Sequence, residues 1–289
     1  MQSHAGQRVQ LMNRKTVKRL CFVIAMAFAM VVICYGTIRV YLAQQSRRAG
    51  EILHDLALVR LDDSEASVLP LYQKHDGHRQ VPTLPGNINK EYEEPDYEYL
   101  FEVDPWRINE LAGHTSKLDS AIRAATTTIS PRLRRAMGLR RWRVAGYIGF
   151  KQTRVIAVTA SALVEGSDEW LGGVWRLLGT IPDQEIQHFV IQPGISWPEM
   201  NHYVVGWTHP NVSKADGAGE AVEIWMTPSA TQQEKQSATQ FMLQCLTSRS
   251  GCRTVCDFVP AALEYARSGI GTERKEACSV PRPYGYREQ

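Results

Sequence analysis

The sequence predicts an α+β protein: an N-terminal transmembrane helix, then an antiparallel β-sheet with flanking helices and a cysteine-rich helical C-terminus. Three observations support this fold class. Residues 20–38 are apolar and uncharged, residues 142–164 hold two β-rich runs, and residues 227–246 have the spacing of an amphipathic helix that reaches a cluster of cysteines. Helices that flank a block of closely spaced strands are typical of α+β domains.

The uncharged run predicts a membrane-spanning helix at residues 20–42. About nineteen residues at roughly 1.5 Å each give a helix of about 28 Å, which matches the hydrocarbon core of a bilayer. A cleaved signal peptide is the alternative, with a small-residue cleavage site at residues 25–27 or 27–29. Cleavage there would leave an exposed apolar stub on the mature chain, so an uncleaved anchor in the cell membrane is the favoured interpretation.

The distribution of basic residues predicts which side of the membrane the body occupies. Five basic residues precede the run and three follow it: Arg8, Arg14, Lys15, Lys18 and Arg19 before, and Arg39, Arg47 and Arg48 after. Lys and Arg stay preferentially on the cytoplasmic side. Residues 1–19 are therefore predicted to be a cytoplasmic basic leader, and the C-terminal body is predicted to be exported.

After the anchor, the chain divides into a helical pair, a loop and one large domain. Residues 43–73 are predicted to be a stalk of two helices, because apolar residues recur at helical spacing and Asp62 with Glu65 resembles a capping box. Residues 74–96 are rich in turn-forming residues and predict a loop. Residues 97–289 are predicted to be the exported α+β domain. Its expected elements are strands at 97–103, on both sides of a hairpin turn at 151–153, and at 188–192, 202–208 and 221–226, with helices at 227–246 and 258–267.

Four of the six cysteines cluster near the C-terminus: Cys245, Cys252, Cys256 and Cys278. An even number of clustered cysteines in an exported domain predicts two disulfides, whose connectivity the sequence leaves open. A zinc site is the alternative, although the C-x6-C-x3-C-x21-C spacing lacks the usual C-x2-C pair. Free thiols are the third interpretation.

Six arginines fall within twelve residues: Arg132, Arg134, Arg135, Arg140, Arg141 and Arg143. They are candidates for contact with an anionic surface, which for an exported domain means lipid headgroups or envelope polymers. The favoured interpretation is pairing within the chain, because antiparallel neighbours can bring the flanks of two strands together. The expected partners are the acidic residues that lead into the first strand: Glu91, Glu93, Glu94, Asp96 and Glu98.

The sequence contains no recognisable catalytic, cofactor or metal motif, and a formal net charge of +3 is too small to indicate nucleic-acid binding. We therefore expect a single-pass extracytoplasmic protein without a cofactor, acting as a non-catalytic envelope binding or scaffold module. Its expected partners are the bilayer, through residues 20–42, and other envelope proteins or anionic lipid. The alternative is an envelope hydrolase whose site is assembled from scattered residues: His188, His202, His209 and Asp183.

The stretch from Tyr203 to Tyr265 resembles membrane-anchored envelope proteins of acidobacterial type. The segments that carry the resemblance are YVVGWTHPNV, VEIWMTPSATQQEKQ and FMLQCLTSRSGCRTVCDFVPAALEY. The resemblance implies a bacterial, envelope-facing protein. It implies no particular chemistry, because these segments carry no catalytic motif.

Overall fold

The computed structural model describes residues 14–82, 95–106, 130–165, 170–178, 203–208, 218–226, 231–239, 241–248 and 250–260. The chain divides into two compact units, Met1–Tyr41 and Leu42–Gln289. Helix α1 (Arg14–Leu58) is continuous for 45 residues and contributes to both. The first of the two helices predicted at residues 43–73 is observed as the continuation of the apolar helix.

In the first unit, α1 exposes a long run of apolar side chains. Their exposed fractions lie between 49% at Leu20 and 70% at Phe28. The run comprises Leu20, Phe22, Val23, Ile24, Met26, Phe28, Met30, Val31, Val32 and Ile33. By length and composition α1 is able to cross a membrane, and it is the one such helix among the described residues. An apolar surface of this extent is compatible with a single-pass anchor.

In the second unit, the remainder of α1 is a core helix. Ala49, Ile52 and Leu56 are at most 1% exposed. Leu56 lies directly over Gly146 in the sheet, where an added Cβ would overlap the leucine side chain. The residue at 146 therefore has to lack a side chain for the helix to approach the sheet this closely.

A second helix, α2 (Glu65–Lys74), follows after a short turn. Its N-cap is Ser64, whose Oγ accepts a hydrogen bond from the Ser67 N–H at 3.4 Å. The predicted cap at Asp62 is wrong. Asp62 has a φ of +65° and donates its N–H to the carbonyl of Val155 at 2.9 Å, so it belongs to the turn that joins the helices to the sheet.

The described strands form one seven-stranded sheet in the order β1-β2-β3-β4-β5-β7-β6. Their bounds are β1 (His78–Gln80), β2 (Tyr97–Val103), β3 (Trp142–Lys151), β4 (Arg154–Glu165), β5 (Trp170–Leu178), β6 (Tyr203–Thr208) and β7 (Ala218–Met226). Every neighbouring pair is antiparallel except β5 and β7, which are parallel. The predicted antiparallel sheet is therefore confirmed with one correction, because β7 returns beside β5 and leaves β6 at the edge.

The hairpin at residues 151–153 and the strand at 97–103 are confirmed. β3 and β4 pair as far as Lys151 and Arg154, which leaves a two-residue turn at Gln152 and Thr153. Both turn residues have positive φ, +48° and +65°. Two positive φ values match the right-handed twist of a tight hairpin. Asp96 supports the turn, since its Oδ2 accepts the Gln152 N–H at 3.0 Å.

The predictions missed β1 and β5. β1 lies inside the predicted loop at 74–96 and pairs with β2 through His78 and Leu100. β5 contains Gly173, where an added Cβ would crowd Val259, Phe258 and Phe241. The predicted strand at 202–208 is observed as β6, the one at 221–226 lies within the longer β7, and the one at 188–192 lies outside the described residues.

The predicted helix at 227–246 is wrong as a single element. After the short helix α3 (Pro131–Ala136), the structure has α4 (Gln232–Thr239) and α5 (Gln244–Thr247). Phe241 and Leu243 are buried between α4 and α5. A 3-10 turn follows at Val255–Asp257. The helix expected at 258–267 lies mostly outside the described residues, as does the rest of the predicted helical C-terminus.

Candidate functional site

The arginine cluster begins on a short helix, α3 (Pro131–Ala136), that Ser130 caps. This helix directs Arg134 toward the end of β4, where its Nη2 donates to both carboxylate oxygens of Glu165 at 2.9 Å. The Arg134 side chain is 3% exposed and that of Glu165 is 13% exposed. Its guanidinium also lies 5.5 Å from the centre of the Trp106 ring, within cation–π range.

A second buried guanidinium, that of Arg140, reaches the same residue from the other end of the connection between α3 and β3. Its Nη1 donates to the Glu165 carbonyl at 3.3 Å, and its Nη2 donates to the Ser250 carbonyl at 3.1 Å. Arg140 also covers Gly251, where an added Cβ would overlap the guanidinium and φ is +70°. Arg140 therefore connects the end of β4 to the loop that contains residues 250 and 251.

Positive charge exceeds negative charge around Glu165 in the described part of the chain. Arg134 and Arg140 are both buried, while the Glu165 carboxylate is shared by Arg134 and by the Arg141 N–H at 2.9 Å. Burial lowers the pKa of both arginines, and the Glu165 charge acts in the opposite direction. The Nε atoms of Arg134 and Arg140 and the indole Nε1 of Trp106 are buried and donate no hydrogen bond to any residue that the structure describes.

The remaining arginines of the cluster have different surroundings. Arg143 forms an ion pair with Glu102 at 2.9 Å. The Arg141 side chain is exposed, Arg135 is half-buried, and the side chain of Arg132 lies outside the described residues. The arginines thus do pair within the chain, but the partners that the structure shows are Glu165 and Glu102.

The arginines were expected to pair with the acidic segment at residues 91–98, but the observed ion pairs of Arg134 and Arg143 are with other glutamates. Glu91, Glu93 and Glu94 lie outside the described residues. Asp96 supports the β3–β4 turn, and Glu98 accepts a hydrogen bond from Gln80 at 3.4 Å. Neither partner belongs to the acidic run at residues 91–98: Glu102 lies inside a predicted strand, and Glu165 directly follows the run predicted to form the hairpin strands.

The cysteine cluster lies beside Arg140. Cys245 and Cys252 form a disulfide with a Cα–Cα distance of 5.0 Å, and the loop they close contains Ser250 and Gly251. Because these two sulfurs are joined, they are not available as zinc ligands. Cys256 is disulfide-bonded as well, and Cys278 lies outside the described residues. Cys21 and Cys34 on α1 are free.

A polar contact between α1 and α2 was not predicted. Asp55 Oδ2 accepts a hydrogen bond from Lys74 Nζ at 2.6 Å and lies 2.8 Å from His75 Nε2. His75 is 4% exposed, and its ring meets Phe101 edge-on at 6.4 Å. About two turns earlier on α1, Arg48 forms an ion pair with Asp76 at 2.8 Å. Burial disfavours the Asp55 charge, but the hydrogen bonds from Lys74 and His75 outweigh this and lower its pKa.

A carboxylate with two tyrosines connects α2 to the edge of the sheet. Glu65 accepts hydrogen bonds from the hydroxyl groups of Tyr97, at 2.8 Å, and Tyr99. These bonds lower the pKa of Glu65, whereas burial and the Glu65 charge raise the pKa of Tyr97 to about 12. Arg79 lies 3.9 Å above the Tyr97 ring. Alternation along β2 placed both tyrosines on one face, but only the fold shows the carboxylate between them.

No catalytic or metal site is evident from the described residues. No three His, Cys, Asp or Glu side chains among them converge as metal ligands. The residues of the alternative hydrolase, His188, His202, His209 and Asp183, all lie outside the described ranges. The hydrolase alternative therefore stays a prediction.

No protein-family model, no curated protein and no solved structure matches this chain. The resemblance of residues 203–265 to acidobacterial envelope proteins therefore stays a prediction.

Proposed function

We propose that this chain is a single-pass membrane protein whose C-terminal body is an exported binding or scaffold module of the cell envelope. The observation that supports it is the exposed apolar run of α1 between Leu20 and Ile33. Water-exposed side chains of this kind cost free energy, and a bilayer removes that cost. The basic residues before the run favour a cytoplasmic N-terminus.

The architecture of the second unit supports a module that is attached to the membrane through part of its own core. Residues 49–56 of α1 are packed in this unit, with Ala49 and Leu56 fully buried. Ser46 on the same helix donates to the Leu243 carbonyl at 3.5 Å. Removing this segment of α1 would therefore remove part of the core of the second unit. The body thus needs the C-terminal part of the same helix that is proposed to span the membrane.

The test is extraction of cell membranes at alkaline pH, which removes peripheral proteins and leaves spanning proteins in place. The full chain is expected to stay in the membrane, and its intact mass is expected to include residues 1–19. Replacing Phe28 and Val31 with Arg should release the chain or prevent insertion, because each charge at the centre of a spanning helix costs about 2.5–3.5 kcal/mol.

Leu58→Arg is the matched control for this double variant. Leu58 lies on the same helix and is 48% exposed, but it is outside the apolar run. The control should remain in the membrane fraction. Extraction of the unmodified chain at alkaline pH, or a mature chain that begins after residue 27 or 29, would show that α1 is not a membrane anchor.

A further inference from the structure

Two buried guanidinium groups lie at Glu165, and its single carboxylate balances only one of their positive charges. No other described carboxylate balances the second charge. Arg134 and Arg140 are 3% and 8% exposed, and both reach Glu165, which supplies one carboxylate. Two backbone carbonyls, those of Glu165 and Ser250, complete the contacts of Arg140. Carbonyl dipoles satisfy hydrogen bonds but do not neutralise a charge, and an uncompensated buried charge is costly.

The unpartnered groups at this place are all donors. Within the described ranges, Nε of Arg134, Nε of Arg140 and Nε1 of Trp106 are buried without an acceptor. Trp106 belongs to this group because its ring lies 5.5 Å from the Arg134 guanidinium. A site that offers several N–H donors next to two guanidinium groups recruits an acceptor-rich anion, and buried polar groups in proteins are rarely left unpaired.

We infer that the Arg134–Arg140 pair beside Glu165 is a binding site for a phosphate group. Phosphate carries several acceptor oxygens and matches the forked donors of arginine. The exposed side chain of Arg141 follows Arg140 directly and gives the site a solvent-facing edge of the same charge. Every residue of the site lies in the unit Leu42–Gln289, so the inference does not depend on α1 crossing a membrane.

The disulfide is expected to keep the site closed on one side. Cys245 and Cys252 restrain the loop in which Ser250 accepts a hydrogen bond from Arg140 and Gly251 lies under its guanidinium. The Ser248 hydroxyl also accepts the Gly251 N–H at 2.9 Å, which fixes the loop from within. Positioning a cation with a restrained loop lowers the ordering cost of binding an anion.

The test uses the full chain in a neutral detergent. Thermal unfolding is followed by tryptophan fluorescence while sodium phosphate is titrated against sodium chloride of equal ionic strength. The proposal predicts a saturable rise of the midpoint temperature with phosphate and not with chloride. Arg134→Gln and Arg140→Gln should each weaken the apparent affinity at least about tenfold, as expected for the loss of a charged hydrogen-bond donor.

Arg60→Gln is the matched control. Arg60 is exposed and lies next to the turn that pairs with Val155, near the opposite end of β4 from Glu165. Its removal lowers the net charge by the same amount and should leave the phosphate response unchanged. An equal loss in Arg60→Gln and Arg140→Gln would overturn the proposal, because it would show general charge screening.

A second measurement covers the case in which the buried variants do not fold. Phosphorus NMR of inorganic phosphate with the unmodified chain should show saturable line broadening that Arg141→Gln weakens. A parallel titration in nanodiscs with or without phosphatidic acid identifies the source of the group. Stabilisation by phosphate in detergent indicates a soluble ligand, and stabilisation by phosphatidic acid alone indicates a lipid headgroup. Stabilisation by neither overturns the proposal.

Discussion

At the residue scale, Asp55 illustrates how a partly buried charge is held between two helices. Its carboxylate is 19% exposed and is shared by Lys74 and the buried His75. Arg48 and Asp76 form a second link between the same segments, but the Asp76 side chain is 80% exposed. Exposed ion pairs contribute only about 0–1 kcal/mol. The Asp55 contacts are therefore the ones expected to stabilise the α1–α2 contact.

Asp55→Asn is predicted to lower the free energy of unfolding at pH 7 by about 1–2 kcal/mol, in line with the loss of a hydrogen-bonded charge. The pKa of Asp55 is lower in the folded state than in the unfolded state, so its contribution is present above the unfolded value of about 4 and is lost as pH falls through the folded value. Chemical denaturation of both proteins at pH 7 and below pH 4 measures this.

Asp76→Asn is the control for Asp55→Asn, since it breaks the exposed pair on the same segments. It should change the stability by less than about 1 kcal/mol. Equal effects of the two substitutions at pH 7 would contradict the assignment. So would a difference between Asp55→Asn and the unmodified chain that grows as the solution is acidified.

The sequence predicted the charged cluster but not the acidic residues that pair with it. The arginine cluster was evident, and pairing within the chain was expected. Their partners Glu102 and Glu165 were not evident. Glu165 lies 31 residues after Arg134, and the pairing of β3 with β4 brings the two together, so local spacing does not reveal the contact. Asp62 failed as a cap for a related reason, since its N–H is used by Val155.

At the element scale, α1 and β3 meet where Leu56 covers Gly146. Leu56→Ala is predicted to lower the free energy of unfolding by about 2–5 kcal/mol, the usual cost of a truncated core leucine. Leu58→Ala, on the exposed side of the same helix, should change it by less than about 0.5 kcal/mol. Denaturant titration of the full chain in detergent compares the two.

Gly146→Ala extends this prediction to the partner strand. Its Cβ would overlap Leu56, so the single substitution should destabilise the fold. In the double variant with Leu56→Ala the leucine is gone, and the combined loss should be smaller than the sum of the two single losses. Additive losses would show that the helix does not lie on this strand.

The cysteines give a prediction for the C-terminal segment. Alkylation of the unfolded, non-reduced chain should modify Cys21 and Cys34 and leave the four clustered cysteines unmodified. Cys256 then has Cys278 as its expected partner. Each bridge is expected to stabilise the fold by about 2–4 kcal/mol. Labelling of Cys245 or Cys252 without reductant, by peptide mass spectrometry, would contradict the observed pair.

Elements made from contiguous patterns were predictable, whereas elements that depend on distant partners were not. The β3–β4 hairpin joins strands that are two residues apart, so its pattern was local. β5 was missed because its two glycines weaken a strand pattern. The need for a glycine at position 173 is evident only from the fold, because Phe258 and Val259, about 85 residues later, pack where a side chain would be.

At the scale of the whole molecule, helices α1 and α2 and five of the seven described strands followed from sequence, but the order of the sheet did not. Consecutive strands β1 to β5 are neighbours in space, as short connections favour. β7 then pairs in parallel with β5 and places β6 outside it. The alternation of side chains does not specify whether β6 or β7 pairs with β5, because both strands have the same two-residue period.

Two reporter fusions measure directly whether α1 anchors an exported body in the cell membrane. Alkaline phosphatase, which is active only after export, and green fluorescent protein, which is fluorescent in the cytoplasm, are each fused after Gln289 and expressed separately. We expect phosphatase activity and no fluorescence from the unmodified chain. Replacing Arg14, Lys15, Lys18 and Arg19 with Asn should reduce the phosphatase activity. Fluorescence of the green fluorescent protein fusion, with no activity of the phosphatase fusion, would contradict export of the body of the unmodified chain.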